Sequence, residues 1–205
     1  MKRAALVDIS TTATEILGVD PLTGTIWLVT GTSSGLGKCL VTSVLSRGDC
    51  VVATVRKPSS LDDLALTEEQ KGRLRVLILD ITDSEENIRK LIGEAWVVWG
   101  RVDILVNNAG RASTKALMEE GGLELMRAEY ETNVFGTMKV TNAVLPHMRQ
   151  RKSGLIVFLG SRVVWQANTP VASSYISSKA AIHGTSPSAF STPAQDRTTN
   201  SSSHQ

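Results

Sequence analysis

The sequence predicts one doubly wound α/β domain, a parallel sheet with helices on both faces. Short apolar, β-branched runs alternate with longer helical patterns from residue 26 onward. The runs lack polar alternation, as strands buried on both faces do. A β-helix-β succession with right-handed crossovers then lays helices on the two faces of one sheet.

Residues 26–30, Ile-Trp-Leu-Val-Thr, read as the first strand and residues 35–46 as the helix after it. Residues 50–55 form the next strand, followed by a helical stretch near 60–70. A third strand over 74–79 leads to an amphipathic helix over 84–99. Residues 102–106 and 155–159 read as two more strands, separated by helical material around 120–150.

The 205 residues suffice for one well-buried domain, and 41% hydrophobic with 20% charged residues is ordinary for a globular protein. A formal net charge of +2 gives no footprint for nucleic acid or a membrane surface. Cys39 and Cys50 lack ligand-like spacing, so a reduced, cytoplasmic setting is the simpler expectation. No apolar run reaches the roughly 20 residues that span a bilayer. Residues 1–24 begin with Lys2 and Arg3, but Asp8, Glu15 and Asp20 break up a signal-peptide or presequence pattern. They read as an N-terminal extension to a domain over 25–184. Residues 185–205 contain no Leu, Ile, Val, Met or Trp and read as a disordered Ser/Thr/Pro-rich tail.

The first strand runs into T-G-T-S-S-G-L-G at residues 30–37 and then directly into a helix. Gly31, Gly35 and Gly37 permit a tight turn, close backbone approach to a ligand and close helix–strand packing. With Ser33, Ser34 and Leu36 they form a candidate phosphate cradle, because a helix N-terminus offers unpaired N–H groups and partial positive charge. At the end of the second strand, where an acid ordinarily meets the ribose hydroxyls of NAD, stand Arg56 and Lys57. These cations suit the 2′-phosphate of NADP; the alternative is a solvated strand end.

The chain resembles the short-chain dehydrogenase/reductase family, on motifs that fall in the family's order. G-x-x-x-G-x-G is the family's form of the glycine loop, and N-N-A-G follows at residues 107–110. Asn133, then a serine at the end of the fifth strand (Ser161), then Tyr175 and Lys179 in Y-x-x-x-K complete the pattern. Tyr175 and Lys179 are four residues apart, hence one turn apart on one helix face. The resemblance covers residues 26 to about 184 and implies a Rossmann-like NAD(P)-binding domain.

That resemblance implies hydride transfer between NADP(H), with NAD the less expected cofactor, and the carbonyl or alcohol of a small hydrophobic metabolite. Tyr175 would be the acid–base, its pKa lowered from about 10 by the Lys179 ammonium. Ser161 would hold the substrate oxygen, and Asn133 would complete a proton path. Asp80 would contact adenine, or simply N-cap the next helix. Asn108, Ala109, Gly110, Lys139 and Lys179 would lie along the cofactor. Relatives associate through the helices bearing Asn133 and Tyr175, so a homo-oligomer is implied. Trp96, Trp99 and Trp165 read as packing residues, and His147 and His183 lack metal-ligand spacing.

The chain departs from the family after Lys179: the Tyr175 helix meets Gly184 and Pro187, and no sixth strand, P-G turn or substrate loop is recognisable. The expectation is a fold lacking the last family strands, with an open edge on the fifth strand. Two functional readings therefore stand: an NADP-dependent oxidoreductase, or a truncated relative that at most binds nucleotide.

Overall fold

In the computed structural model, the described residues are 24–112, 118–165 and 173–185. Five strands form one all-parallel sheet in the order β3-β2-β1-β4-β5. They are β1 (Ile26–Val29), β2 (Cys50–Val55), β3 (Leu74–Ile78), β4 (Ile104–Asn107) and β5 (Leu155–Phe158). The helices are α1 (Gly35–Ser46), α2 (Glu68–Gly72), α3 (Glu85–Trp99), α4 (Met118–Tyr130), α5 (Thr137–Arg151) and α6 (Ser173–Thr185). This is the doubly wound parallel architecture expected from the sequence.

The central strands β1 and β4 are buried along their whole length because both faces are covered, whereas the edge strand β3 is interrupted by exposed Arg75. One core layer joins Trp27, Val29, Val51 and Ala53 to Val41, Val44 and Leu45 of α1. The other joins Leu28, Val52 and Leu105 to Ile88 and Ile92 of α3 and to Val140 and Val144 of α5. The alternation of Trp27 and Val29 against Leu28 shows one strand feeding both layers, as pleating requires. Burying these side chains contributes the main driving force, at about 25 cal/mol per Å² of apolar surface.

The register pairs β1 with β2 on one side and β4 on the other. The chain thus leaves β1 leftward and re-enters rightward at β4. Such a switch opens a crevice beyond the carboxyl ends of the two strands. At the opposite end, Asp103 staples the sheet: its carboxylate accepts from the Ile26 N–H at 3.0 Å and pairs with Arg101 and Arg151 at 3.0 Å each.

Several boundaries differ from the sequence expectation. The helical stretch near 60–70 divides into a 3-10 turn (Pro58–Leu61) and the short α2, because Leu61 is drawn into the core while Thr67 starts a new capping box. The helical material around 120–150 is α4, a π-helical segment (Glu131–Gly136) and α5, with a break in α4 at Gly122. Ser84, whose hydroxyl accepts from the Asn87 N–H at 3.2 Å, caps α3, so Asp80 does not. Trp96 stacks on His147 with ring centroids 4.5 Å apart. Trp165, expected to pack, is 78% exposed and meets His183 edge-on, with centroids 5.9 Å apart.

Helix α6 runs through Gly184, and Pro187 lies outside the described residues. Of the expected N-terminal extension (residues 1–24) and tail (residues 185–205), all but Gly24 and Thr185 also lie outside them, and Thr185 ends α6. Among the described residues β5 pairs with β4 alone. No helix among the described residues is long and apolar enough to cross a membrane.

Candidate active site

A cleft of about 700 Å³ occupies the crevice between the ends of β1 and β4. Its walls come from the loop after β1 (Gly31, Ser33, Ser34, Leu36), the end of β2 (Thr54 to Arg56), the turn after β3 (Asp80 to Thr82) and the turn after β4 (Asn108 to Arg111). Thr132 closes it from the π-helical segment.

The loop after β1 is built by tight backbone approach. Gly31 has φ +68°, and a Cβ there would lie 2.7 Å from Ala109 Cα. A Cβ on Gly37 would lie 2.5 Å from the Gly31 carbonyl oxygen. Only glycine lets the β1 loop nest against the β4 turn in this way. Thr30 and Asn108 then lock the two together. The Thr30 hydroxyl accepts from the N–H groups of Asn108 and Ala109 at 3.0 Å each, and Asn108 Nδ2 donates to the carbonyls of Thr30 and Gly31 at 2.8 and 2.9 Å.

The start of α1 is open to an anion. Ser34, at the N-cap, makes no side-chain capping bond, and the first turn carries no acid. A Cβ on Gly35 would meet nothing within 4 Å, so that side of the helix end is clear space. Exposed first-turn N–H groups with their partial positive charge suit a phosphate. The residues present therefore fit an anionic dinucleotide.

Arg56 lines the cleft; Lys57 does not, and its carbonyl instead accepts from the Ser60 hydroxyl at 2.8 Å. Asp80 accepts from the Thr82 N–H at 2.9 Å and the Thr82 hydroxyl at 2.7 Å. The backbone bond from Thr82 chiefly holds its carboxyl below the usual range, with its hydroxyl, Arg56 and Lys139 assisting against desolvation. Lys139 is not among the lining residues. Its ammonium donates to the Thr82 and Asp83 carbonyls at 3.2 and 3.0 Å and to Glu131 at 2.7 Å, bracing the turn after β3.

At the inner end, Gly110 sits between two of the expected catalytic side chains. A Cβ there would lie 3.3 Å from Asn133 Oδ1 and 3.4 Å from Lys179 Nζ. Asn133, in the π-helical segment, accepts from the Arg111 N–H and donates to the Arg111 carbonyl, both at 2.8 Å, and donates to Ser178 at 3.0 Å. Lys179 is 7% exposed and donates to the Leu159 carbonyl at 2.8 Å. Its Nζ is 5.9 Å from the Tyr175 ring centroid. The Tyr175 phenol and the Ser161 hydroxyl make no hydrogen bond among the described residues. Ser161 lies at the start of the 3-10 turn Arg162–Trp165, and next to it Gly160 packs under the His183 ring. Sequence reasoning missed Thr54 and Arg111, for which no family motif letter gives a signal.

The short chain dehydrogenase sequence profile matches residues 25–197. The chain belongs to the short-chain dehydrogenase family. Oxidoreductase BOA17 of Botryotinia fuckeliana is 38% identical over 159 residues, 78% of this chain and 57% of that protein. This short-chain dehydrogenase chain thus spans little more than half the length of that curated relative. The solved structure of ElxO with NADP bound superposes with TM-score 0.72 at 27% identity, covering 79% of this chain and 65% of that one. NAD+-bound xylitol dehydrogenase superposes with TM-score 0.75 at 25% identity, covering 81% and 64%.

Burial without a carboxylate partner holds the Lys179 ammonium below the ordinary lysine range. A folded-state pKa depressed below the unfolded value of about 10.4 penalises the charged form in the fold. The associated stability is complete only above the unfolded value and is lost as pH falls through the folded one. Lys179→Met escapes this penalty and should therefore gain stability relative to the native chain at pH 7. That advantage should shrink as pH rises toward 10. Melting curves of both proteins across this range check it; a gap that stays constant or widens would contradict the assignment.

Proposed function

We propose that this chain carries the cofactor-binding and acid–base machinery of an NADP(H)-dependent oxidoreductase acting on a carbonyl or alcohol of a small hydrophobic metabolite. One observation carries the reading: a single cleft is lined by the loop at an uncapped helix N-terminus, by Arg56 at the end of β2 and by Gly110, against which Asn133 and Lys179 stand. The first suits a pyrophosphate and the second a 2′-phosphate, since the end of β2 offers no acid for a free ribose diol. A guanidinium recognises phosphate by paired, charge-assisted hydrogen bonds. The unpaired thiols of Cys39 and Cys50 support a reducing, cytoplasmic setting.

When bound, the nicotinamide gives or takes the hydride. The chain does the rest. Lys179 is held by the Leu159 carbonyl next to Gly110, where it can bind the ribose, with its Nζ 5.9 Å from the Tyr175 ring centroid. Tyr175, with no competing hydrogen bond among the described residues, donates its proton to a carbonyl oxygen during reduction and takes it back during oxidation. Ser161 holds that oxygen, stabilising the charge it acquires. Asn133, its amide fixed by Arg111 and Ser178, keeps the β4 turn and α6 in register.

Titration of the purified chain, following nicotinamide fluorescence, tests the cofactor reading. NADPH should bind at least tenfold more tightly than NADH. Arg56→Glu should weaken NADPH by about 10- to 100-fold, the worth of a hydrogen bond to a charged group, and leave NADH nearly unchanged. Failure to bind either cofactor, or an NADH preference in the native chain, would overturn it.

A further inference from the structure

We propose that Lys38 is a positioning residue for the dinucleotide, setting the distance between the pyrophosphate site at the start of α1 and the 2′-phosphate site at Arg56. The inference rests on the NADP(H) reading above. Lys38 stands in the first turn of α1, one residue beyond Gly37. Its side chain crosses to the segment after β2, where Nζ donates to the Ser60 carbonyl at 3.4 Å and to both Asp63 carboxylate oxygens at 2.5 and 2.7 Å.

That segment is closed on itself and on the core. The Ser60 N–H and hydroxyl both donate to the Lys57 carbonyl, at 3.2 and 2.8 Å. Leu61 is 5% exposed and belongs to the layer that includes Val41 and Val44 of α1. A displacement at Ser60 is therefore transmitted to Lys57 and its neighbour Arg56. Lys38 makes the polar tie between the helix that would cradle one phosphate and the turn that would hold the other.

The energetics point to positioning over stability. The Asp63 side chain is 72% exposed, and exposed ion pairs contribute little to folding. Its carboxyl is held below the usual range by the Lys38 hydrogen bond. A ligand gripped at two anion sites gains more from their fixed spacing, because no ordering cost is left for binding. NADH, lacking the 2′-phosphate, spans only the first of these sites and is indifferent to the tie.

The experiment titrates NADPH and NADH into the native chain, Lys38→Met, Lys38→Arg and Asp63→Asn, with urea midpoints for each. Lys38→Met should weaken NADPH about tenfold and NADH less than twofold, with a nearly unchanged midpoint. Lys38→Arg should restore most of the NADPH affinity, since a guanidinium reaches the same acceptors; Asp63→Asn should fall between. Equal losses for both cofactors with a lowered midpoint would reduce Lys38 to a structural staple and overturn the proposal. So would an NADPH preference that survives Lys38→Met, while leaving the NADP(H) reading intact. A native chain that binds neither cofactor would overturn both.

Discussion

Tyr175→Phe should leave NADPH affinity within about twofold of native and lower the rate of carbonyl reduction by about 10²- to 10⁴-fold. That range is what a positioned acid–base group supplies. The substitution removes one oxygen from a half-buried ring whose hydroxyl makes no hydrogen bond among the described residues, so no buried partner is orphaned. Folding should therefore be undisturbed, and the loss should fall on the chemical step. Single-turnover measurements with NADPH and a panel of aldehydes and ketones, beside the cofactor titration, separate the two effects. Turnover within threefold of native would remove Tyr175 from the mechanism, and parallel loss of binding and turnover would make it a structural residue.

Gly31→Ala should be among the most damaging single-methyl changes at the cleft. The residue has φ +68°, where an L side chain costs roughly 1–2 kcal/mol, and its Cβ would press on Ala109 Cα at 2.7 Å. Neither side can yield cheaply. Ala109 is held by its bond to Thr30, and Thr30 follows β1 directly. Together these effects predict a loss of about 2–5 kcal/mol, a large share of a typical domain's stability. Gly35→Ala provides the contrast. Its φ is +56°, but a Cβ there meets nothing within 4 Å, so only the backbone strain is incurred. It should fold with a cost of about 1–2 kcal/mol and lose nucleotide affinity, because the methyl group occupies the approach to the helix end. Urea unfolding and NADPH titration of both variants check this. Equal midpoints would show that the β1 loop and the β4 turn are less tightly nested than the distances imply.

The parallel sheet and the glycine loop were legible from local features. Trp27 to Val29 and Val51 to Ala53 are unbroken apolar runs, and only a strand covered on both faces carries such a run without polar relief. The glycine spacing reports a backbone conformation, and backbone conformation is a local property. Tyr175 and Lys179 were legible for the same reason, since a four-residue interval on a helix fixes their common face.

The tertiary structure decided matters that depend on long-range neighbours. Lys139 and Lys57 are cations like Arg56, yet only Arg56 lines the cleft. Carbonyls of the β3–α3 turn and Glu131 hold Lys139, while Lys57 leads the chain into a 3-10 turn. The sequence shows a charge but not the oxygens that satisfy it. The split of residues 58–72 into two short elements follows from Leu61 reaching the core, a contact with α1 some twenty residues earlier. Trp165 reads as a core residue by its chemistry and stands exposed because the 3-10 turn after β5 carries it past the sheet. From sequence alone came the covalent periodicities: strand runs, glycine spacing and helix faces. Folding added the pairings across sequence distance, which depend on where the chain returns, and these select which charges face the cleft.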